Sequence, residues 1–293
     1  MSRGARTALA LACAWLIAPH AAGEDDAGAL LRYRFDRLAG RVATYTIETE
    51  QRVRQEVIQR DGQRGGGEVE TWARETQRQA FTSGQGEAGG VALTTDRIEA
   101  RITSPSQRER YDSADPDTQP SPRLEAWTRK LGRTVQLDVS PRGRVTRVRG
   151  CAPPERAAYA ASFVELPSRR LSLGRGWDRL DERPMPPLGS LQFHFQYRLR
   201  EVQPADDGRP ERYRIEATVQ VEARGVAPSE HATVEVTAQS GAGHLLLDAD
   251  GLVIESALRT ELELTIRSAA GTQVQRIESR SFQRLRDVRP QAD

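Results

Sequence analysis

Apolar side chains recur at every second position over most of this chain. Over residues 191–200 one side of the alternation carries Leu191, Phe193, Phe195, Tyr197 and Leu199. The other carries Gln192, His194, Gln196, Arg198 and Arg200. Tyr213, Ile215, Ala217, Val219, Val221 and Ala223 repeat the pattern against Arg212, Arg214, Glu216, Gln220 and Glu222. Leu252, Ile254, Leu258, Leu262, Leu264 and Ile266 do so again, with Glu255, Arg259, Glu261 and Glu263 opposite. A period of two places successive side chains on opposite faces of an extended chain, and one dry face with one wet face marks antiparallel pairing. Weaker alternation predicts strands over 42–58, 68–81, 91–102, 134–139, 144–149, 232–238 and 272–285. The expected fold class is mostly β, an open curved antiparallel sheet or a sandwich.

Two short helices interrupt the pattern. In residues 121–132 Ser121 stands as N-cap, Pro122 takes the first helical position and Gly132 follows the end, with Leu124, Trp127 and Leu131 on one side. That side is expected to pack on the sheet. A second helix is expected from Pro154, ended by Pro167. It lies in a connector rich in Pro and Arg, 151–187, between two strand-rich halves, 24–150 and 188–293. The halves are alike at one point. "VQLDVSPRGRVTRV" (135–148) and "HLLLDADGLVIESA" (244–257) each run from an apolar strand ending in Asp, through a short turn closing on Gly, into a second strand. This likeness predicts two related halves.

The second copy also poses a chemical question, because Asp248, Asp250 and Gly251 resemble the opening of a calcium loop. Such a loop needs oxygen ligands at alternating positions and a bidentate Glu at the twelfth. Here the run stops after two ligand positions, and Leu252, Val253 and Ile254 continue as a strand. In the first copy Pro141 and Arg142 fill the turn. Both are therefore expected to be hairpin turns in which glycine supplies positive φ.

Residues 1–23 read as a secretory signal. Arg3 and Arg6 precede an apolar run over 7–18, and Ala21 to Gly23 supply small residues before a cleavage expected ahead of Glu24. The run is too short to span a bilayer, and Ala10 and the apolar residues after Cys13 disfavour lipid attachment there. The chain is expected to be exported, periplasmic or extracellular, with no transmembrane helix. With Arg3 and Arg6 discounted, the 43 basic residues become 41, equal to the 41 acidic ones. A neutral balance argues against a nucleic-acid partner or general attraction to anionic membranes. Lys130 is the one lysine, and the excess of arginine reads as compositional bias. Beyond Cys13 only Cys151 remains, so no intrachain disulfide is expected, and "RGCAPPER" offers it no activating histidine.

Candidate chemistry is sparse. Asp112 and Ser113 could be joined to a histidine in a hydrolytic triad. However, no G-x-S-x-G elbow is present, and adjacent residues of an extended segment point to opposite faces. Asp112 is expected instead to anchor the turn that follows. His194, His231 and His244 fall in three separate strands without zinc-ligand spacing. Gly65 to Gly67 precede a strand, and Gly84 to Gly90 form another hairpin loop, so neither cradles phosphate. No catalytic, cofactor-binding or metal-binding residue is assigned.

Several short motifs occur in a set order: Leu31 to Phe35 followed by Gly40, Tyr111-Asp112-Ser113, Leu131-Gly132, the turn from Ser140 to Gly150, and Leu166-Pro167 with Gly174 and Trp177. In these the chain resembles a group of exported bacterial proteins of unknown function, common in planctomycete-type genomes. Arg170 and Gly176 depart from the usual pattern. The resemblance implies an exported β-rich protein and no particular reaction.

Three function classes follow. The first is a non-catalytic envelope protein that binds an apolar or amphiphilic ligand, such as a lipid, or an envelope protein partner. The second is a hydrolytic enzyme whose site is formed only by folding. The third is an outer-membrane barrel, opposed by an aromatic content of 5%, too low for interfacial girdles, and by the ending "VRPQAD".

Overall fold

The structure is a computed structural model that describes residues 28–184, 190–205, 211–224, 232–269 and 271–291; the expected signal segment and His231 lie outside them. Twelve strands follow one another as β1 (Arg41–Gln59), β2 (Arg64–Ser83), β3 (Gly89–Thr103), β4 (Arg108–Asp112), β5 (Thr134–Val139), β6 (Val145–Arg149), β7 (Gly176–Pro184), β8 (Ser190–Gln203), β9 (Arg212–Arg224), β10 (Ala232–Asp248), β11 (Val253–Ser268) and β12 (Gly271–Pro290). They form one open antiparallel sheet in the order β6-β5-β3-β2-β1-β12-β11-β10-β9-β8-β7, with β4 also paired to β3. Each half is a meander. The first runs from the centre out to β6, and the second starts at the opposite edge with β7 and returns until β12 pairs with β1. β6 and β7 stay unjoined, so the sheet is not a closed barrel.

Register fixes which residues share a face. Rows of cross-strand partners put Ala43, Tyr45, Ile47, Thr49, Gln51, Val53, Gln55 and Val57 of β1 on one face. Leu285, Gln283, Ser281, Ser279, Ile277, Gln275 and Gln273 of β12 lie beside them. The same face carries Ser256, Leu258, Thr260, Leu262, Leu264 and Ile266 of β11, then Val234, Val236, Gln239, Gly241, Gly243, Leu245 and Leu247 of β10. It continues through Tyr213 to Ala223 of β9 and Leu191 to Leu199 of β8 at alternate positions. Arg and Glu occupy the intervening positions and form cross-strand ion pairs such as Arg74–Glu48 at 2.9 Å and Arg267–Glu235 at 2.8 Å. Pairs this exposed contribute little stability, about 0.2–1 kcal/mol each.

The sheet curls towards the apolar face. One end of that face is filled by a plug made of residues 28–38 and 159–171. Leu31, Tyr33, Phe35, Leu38, Phe163, Leu166 and Leu171 pack in a single cluster with Leu137 of β5 and Val91 of β3 on one side. Tyr197, Ile215 and Leu247 of β8 to β10 close it on the other. Extra residues enter the ladders beside this cluster, next to Tyr45, Leu199 and Leu247. Bulges raise local twist, which rolls the strands around the plug.

The two glycine turns clamp the plug from opposite sides. Ser140 N–H donates to Arg144 O and Gly143 N–H to Ser140 O; Asp248 N–H donates to Leu252 O and Gly251 N–H to Asp248 O. The turns are superposable in pattern, both glycines lie at φ +84°, and both grip one dipeptide. Tyr33 N–H donates to Pro141 O at 2.7 Å and Arg34 N–H to Asp250 O at 2.8 Å. The equivalent of Asp248 is thus Ser140, whose hydroxyl accepts Arg144 N–H, and not Asp138.

The helices are shorter than the sequence predicts. α1 (Phe35–Leu38), which the alternation does not announce, is one turn inside the plug. α2 spans Glu125–Thr128 only. Ser121 leaves the cap because its hydroxyl donates to the Glu109 carboxylate of β4. Leu124, Trp127 and Leu131 nevertheless pack on Ala73, Ile98, Ala100, Ile102 and Tyr111, as that face requires. In the connector a 3-10 turn (Pro153–Glu155) leads into α3 (Arg156–Ala160). The chain leaves helix well before Pro167, because Phe163 and Leu166 are drawn into the plug. Strand β7 begins inside the expected connector. Its inward positions include Arg179 and Asp181, which break the apolar alternation and pair with each other at 2.8 Å.

Candidate functional site: an uncharged trough

Away from the plug the curled face is open. Here Leu191, Val219, Val221, Val234 and Leu264 form a second cluster on the same face, with Phe193, Phe195, Leu258, Leu262 and Ile277 against it. A cavity of about 580 Å³ touches this wall and, on its other side, Thr71 and Ala73 of β2 and Trp127 of α2. In a flat sheet β2 and β8 would stand about 29 Å apart, whereas a cavity of that volume is about 10 Å across. The sheet therefore bends back on itself, and the cavity is the trough so enclosed.

The bend has a local cause. The ladder between β9 and β10 covers only Thr218↔Ala242 to Arg212↔Asp248. Beyond it, residues 232–241 of β10 pair with β11 alone, and Val221 N–H is taken by the Gln239 side chain. Gly241 sits at this crease, where a Cβ would stand 2.7 Å from that of Val219. Glycine in a strand marks such a close approach.

From β8 through β12 to β1, six neighbouring strands, the described positions that the register turns inward carry no charge except Arg41, exposed at the first position of β1. That is a selective outcome in a chain of which 29% of residues are charged. Apart from Arg41, the described inward charged side chains lie at the margins and are paired: Glu75 with Lys130 at 2.8 Å, Glu109 with Arg123 at 3.6 Å, and Arg179 with Asp181. The polar groups facing the trough are hydroxyls and amides. Thr71, Gln51, Ser279 and Thr260 form one lateral row across β2, β1, β12 and β11, with Thr49 and Ser281 in the next.

The opposite face carries a groove of about 610 Å³, where small Ala242 and Ala257 leave a dip among Glu48, Trp72, Arg214 and Phe282. Arg101 lies 4.2 Å over the Trp72 ring. Opposite charges rim this groove, among them Arg200 paired with Glu216, so it offers a solvated ionic surface and not an apolar one.

The residues singled out from sequence go to structural work. The Asp248 carboxylate accepts Asp250 N–H at 3.0 Å and Leu252 N–H at 2.8 Å, closing its turn, while burial raises its pKa despite those bonds. Asp112 accepts Ala114 N–H at 3.0 Å, and this bond, aided by Arg97, lowers its pKa; it anchors the following turn. The Ser113 hydroxyl accepts Ile98 N–H at 3.0 Å. No described histidine joins them: His194 faces Asp178 at 3.6 Å and His244 faces Glu255 at 3.1 Å, on other strands. Cys151 is half-buried against the plug cluster. Among the described residues no group of His, Cys, Asp and Glu has metal-site geometry, and no helix is long and apolar enough to cross a membrane.

Most of the ordered motifs meet at the plug. Tyr33 donates to Val164 O at 3.3 Å, and burial raises the pKa of its hydroxyl. Arg142 and Leu166 exchange hydrogen bonds. The Trp177 indole N–H donates to Glu165 O at 2.7 Å while its ring stacks on Tyr197 at 5.0 Å.

The class this geometry defines is an open antiparallel sheet curved around an apolar trough and plugged at one end. No family model matches the sequence, and no curated protein matches it. Among solved structures the fold is similar to that seen in a structure of lipid–protein interactions in lipovitellin, at TM-score 0.51 and 12% identity. The match covers 87% of this chain and 26% of that one, so this chain spans about a quarter of the lipovitellin chain. Weaker likenesses reach an outer-membrane channel from Pseudomonas putida F1 (TM-score 0.20, 10% identity, 90% of this chain and 99% of that one) and DynF from the dynemicin biosynthesis pathway of Micromonospora chersina (0.16, 9%, 87% and 85%). Those two share too little geometry to inform the site.

Proposed function

We propose that the protein is an exported envelope protein that holds an apolar or amphiphilic ligand in the trough, without catalysing a reaction. One observation carries this reading: along the trough the inward positions of six adjacent strands carry no charge, and the plug and α2 leave that face partly uncovered. A monomeric surface rarely keeps so large an apolar patch without a use for it, and sites for small ligands are typically apolar concavities of this volume with a few polar groups. The likeness to lipovitellin, a protein described for its lipid interactions, supports the same reading at the level of fold. Export rests on the signal features of residues 1–23. We further read the chain as one of the exported group its motifs resemble, with those motifs serving the plug.

The reading is tested with the exported chain and the fluorescent apolar probe 1-N-phenylnaphthylamine. Saturable binding near one probe per chain is expected. Phe193→Asp should weaken it at least tenfold, while Phe282→Asp, on the opposite face, should leave it unchanged; far-ultraviolet circular dichroism verifies that both variants fold. Equal binding by all three chains, or none by the parent, would refute a ligand-holding trough.

A further inference from the structure

We propose, resting on the reading just given, that the amphiphile held in the trough carries an uncharged, hydroxyl-bearing head group, as a monoacylglycerol does. Fatty-acid carboxylates and phosphate-bearing lipids are disfavoured.

The inner face is ordered along the strands as well as across them. One row joins Thr71, Gln51, Ser279 and Thr260. The next row towards the open end joins Val69, Val53, Ile277 and Leu262, about 7 Å further along. An acyl chain lying on Ile277, Leu262, Val221 and Phe193 thus brings its head to a strip of hydroxyls and an amide. Of these groups, Thr71 reaches a neighbour only weakly, donating to Gln51 O at 3.4 Å. Gln51, Thr260, Ser279, Thr49 and Ser281 make no side-chain hydrogen bond among the described residues. They are donors and acceptors presented to an occupant.

Charge decides which occupant. An ionised group moved from water into a site without a counter-ion loses far more solvation than a hydroxyl, which exchanges one set of hydrogen bonds for another. The charged residues adjoining the row in sequence, Glu50, Arg52, Glu261, Glu278 and Arg280, hold register positions of the opposite face, and of these Glu50 and Arg280 also border the cavity. On the inner face Lys130 is held by Glu75, and Arg179 by Asp181 and by Phe163 O. Among the described side chains that the register turns towards the trough, no unpaired cation meets a carboxylate or phosphate. At roughly 30 Å³ per small group, the space a water takes in the liquid, 580 Å³ holds about 20 heavy atoms, enough for a small head group and most of one acyl chain, whose tail leaves by the open end of the trough.

The test is competition for the bound 1-N-phenylnaphthylamine by monoolein, oleate and oleoyl lysophosphatidylglycerol. All are used below their micelle concentrations at pH 9, where the oleate carboxyl and the phosphate are ionised. Monoolein should displace the probe at concentrations at least tenfold lower than either anion. In a chain carrying Ser279→Ala and Thr260→Val, which keep side-chain shape, that advantage should narrow several-fold. An anion that competes as well as monoolein, or an advantage untouched by the double substitution, would overturn the head-group assignment while leaving the trough as a ligand site. Failure of the parent chain to take up the probe at all would overturn both.

Discussion

Asp248 accepts two backbone N–H groups from a position where burial works against its charge. The hydrogen bonds its carboxylate accepts favour the ionised form, and its burial opposes it. A carboxyl whose folded pKa is raised destabilises the native state above that pKa and ceases to do so below the unfolded value of about 3.9. Asp248→Asn keeps the acceptor and removes the charge. It should match or exceed the parent in urea-denaturation stability at pH 7, and lose that advantage as the pH falls towards 4. Asp248→Ala removes the acceptor and should cost about 1–3 kcal/mol at both. The turn itself was legible from Asp248, Asp250 and Gly251, because positive φ and a short polar acceptor are local demands. The pairing of Asp248 with Ser140 was not: Asp138 offered the same residue type two positions early, and only the hydrogen-bond pattern separates them.

The crease between β9 and β10 makes the trough at the scale of elements. Val219 lies against Gly241 with no room for a Cβ. Gly241→Val should therefore either force the crease open or lower stability by about 1–3 kcal/mol through overpacking. A fall in the thermal midpoint or a loss of probe binding measures it; a variant unchanged in both would show that the strands do not need this contact. Strands were the most legible elements, since a half-buried antiparallel strand writes its two faces directly into alternate residues. β4 leaves no alternation to read, because Tyr111 is the one apolar side chain in Arg108–Asp112. β7 escaped because its inward Arg179 and Asp181 satisfy each other. The helices are shorter than their end signals for a related reason: caps and prolines mark where a helix can start and stop, while Glu109 and the plug decide how much of it survives.

The whole molecule is a sheet wrapped over its own uncharged side. Each strand shows half of that fact in sequence, since Glu and Arg avoid the apolar positions. That six strands place those positions side by side, and that the row Thr71–Gln51–Ser279–Thr260 runs across β2, β1, β12 and β11, depends on register between distant segments, 228 residues apart in Gln51↔Ser279. Bulges and the crease then set the curvature, and neither has a period to read. The most direct measurement is native mass spectrometry of the protein, purified without detergent from the cells that make it, beside a Phe193→Asp chain that circular dichroism shows to be folded. The parent should carry the added mass of one amphiphile, removable at raised collision energy, and the variant should fly bare. A parent of bare polypeptide mass that also gains no mass when monoolein is added would contradict the trough as a ligand site.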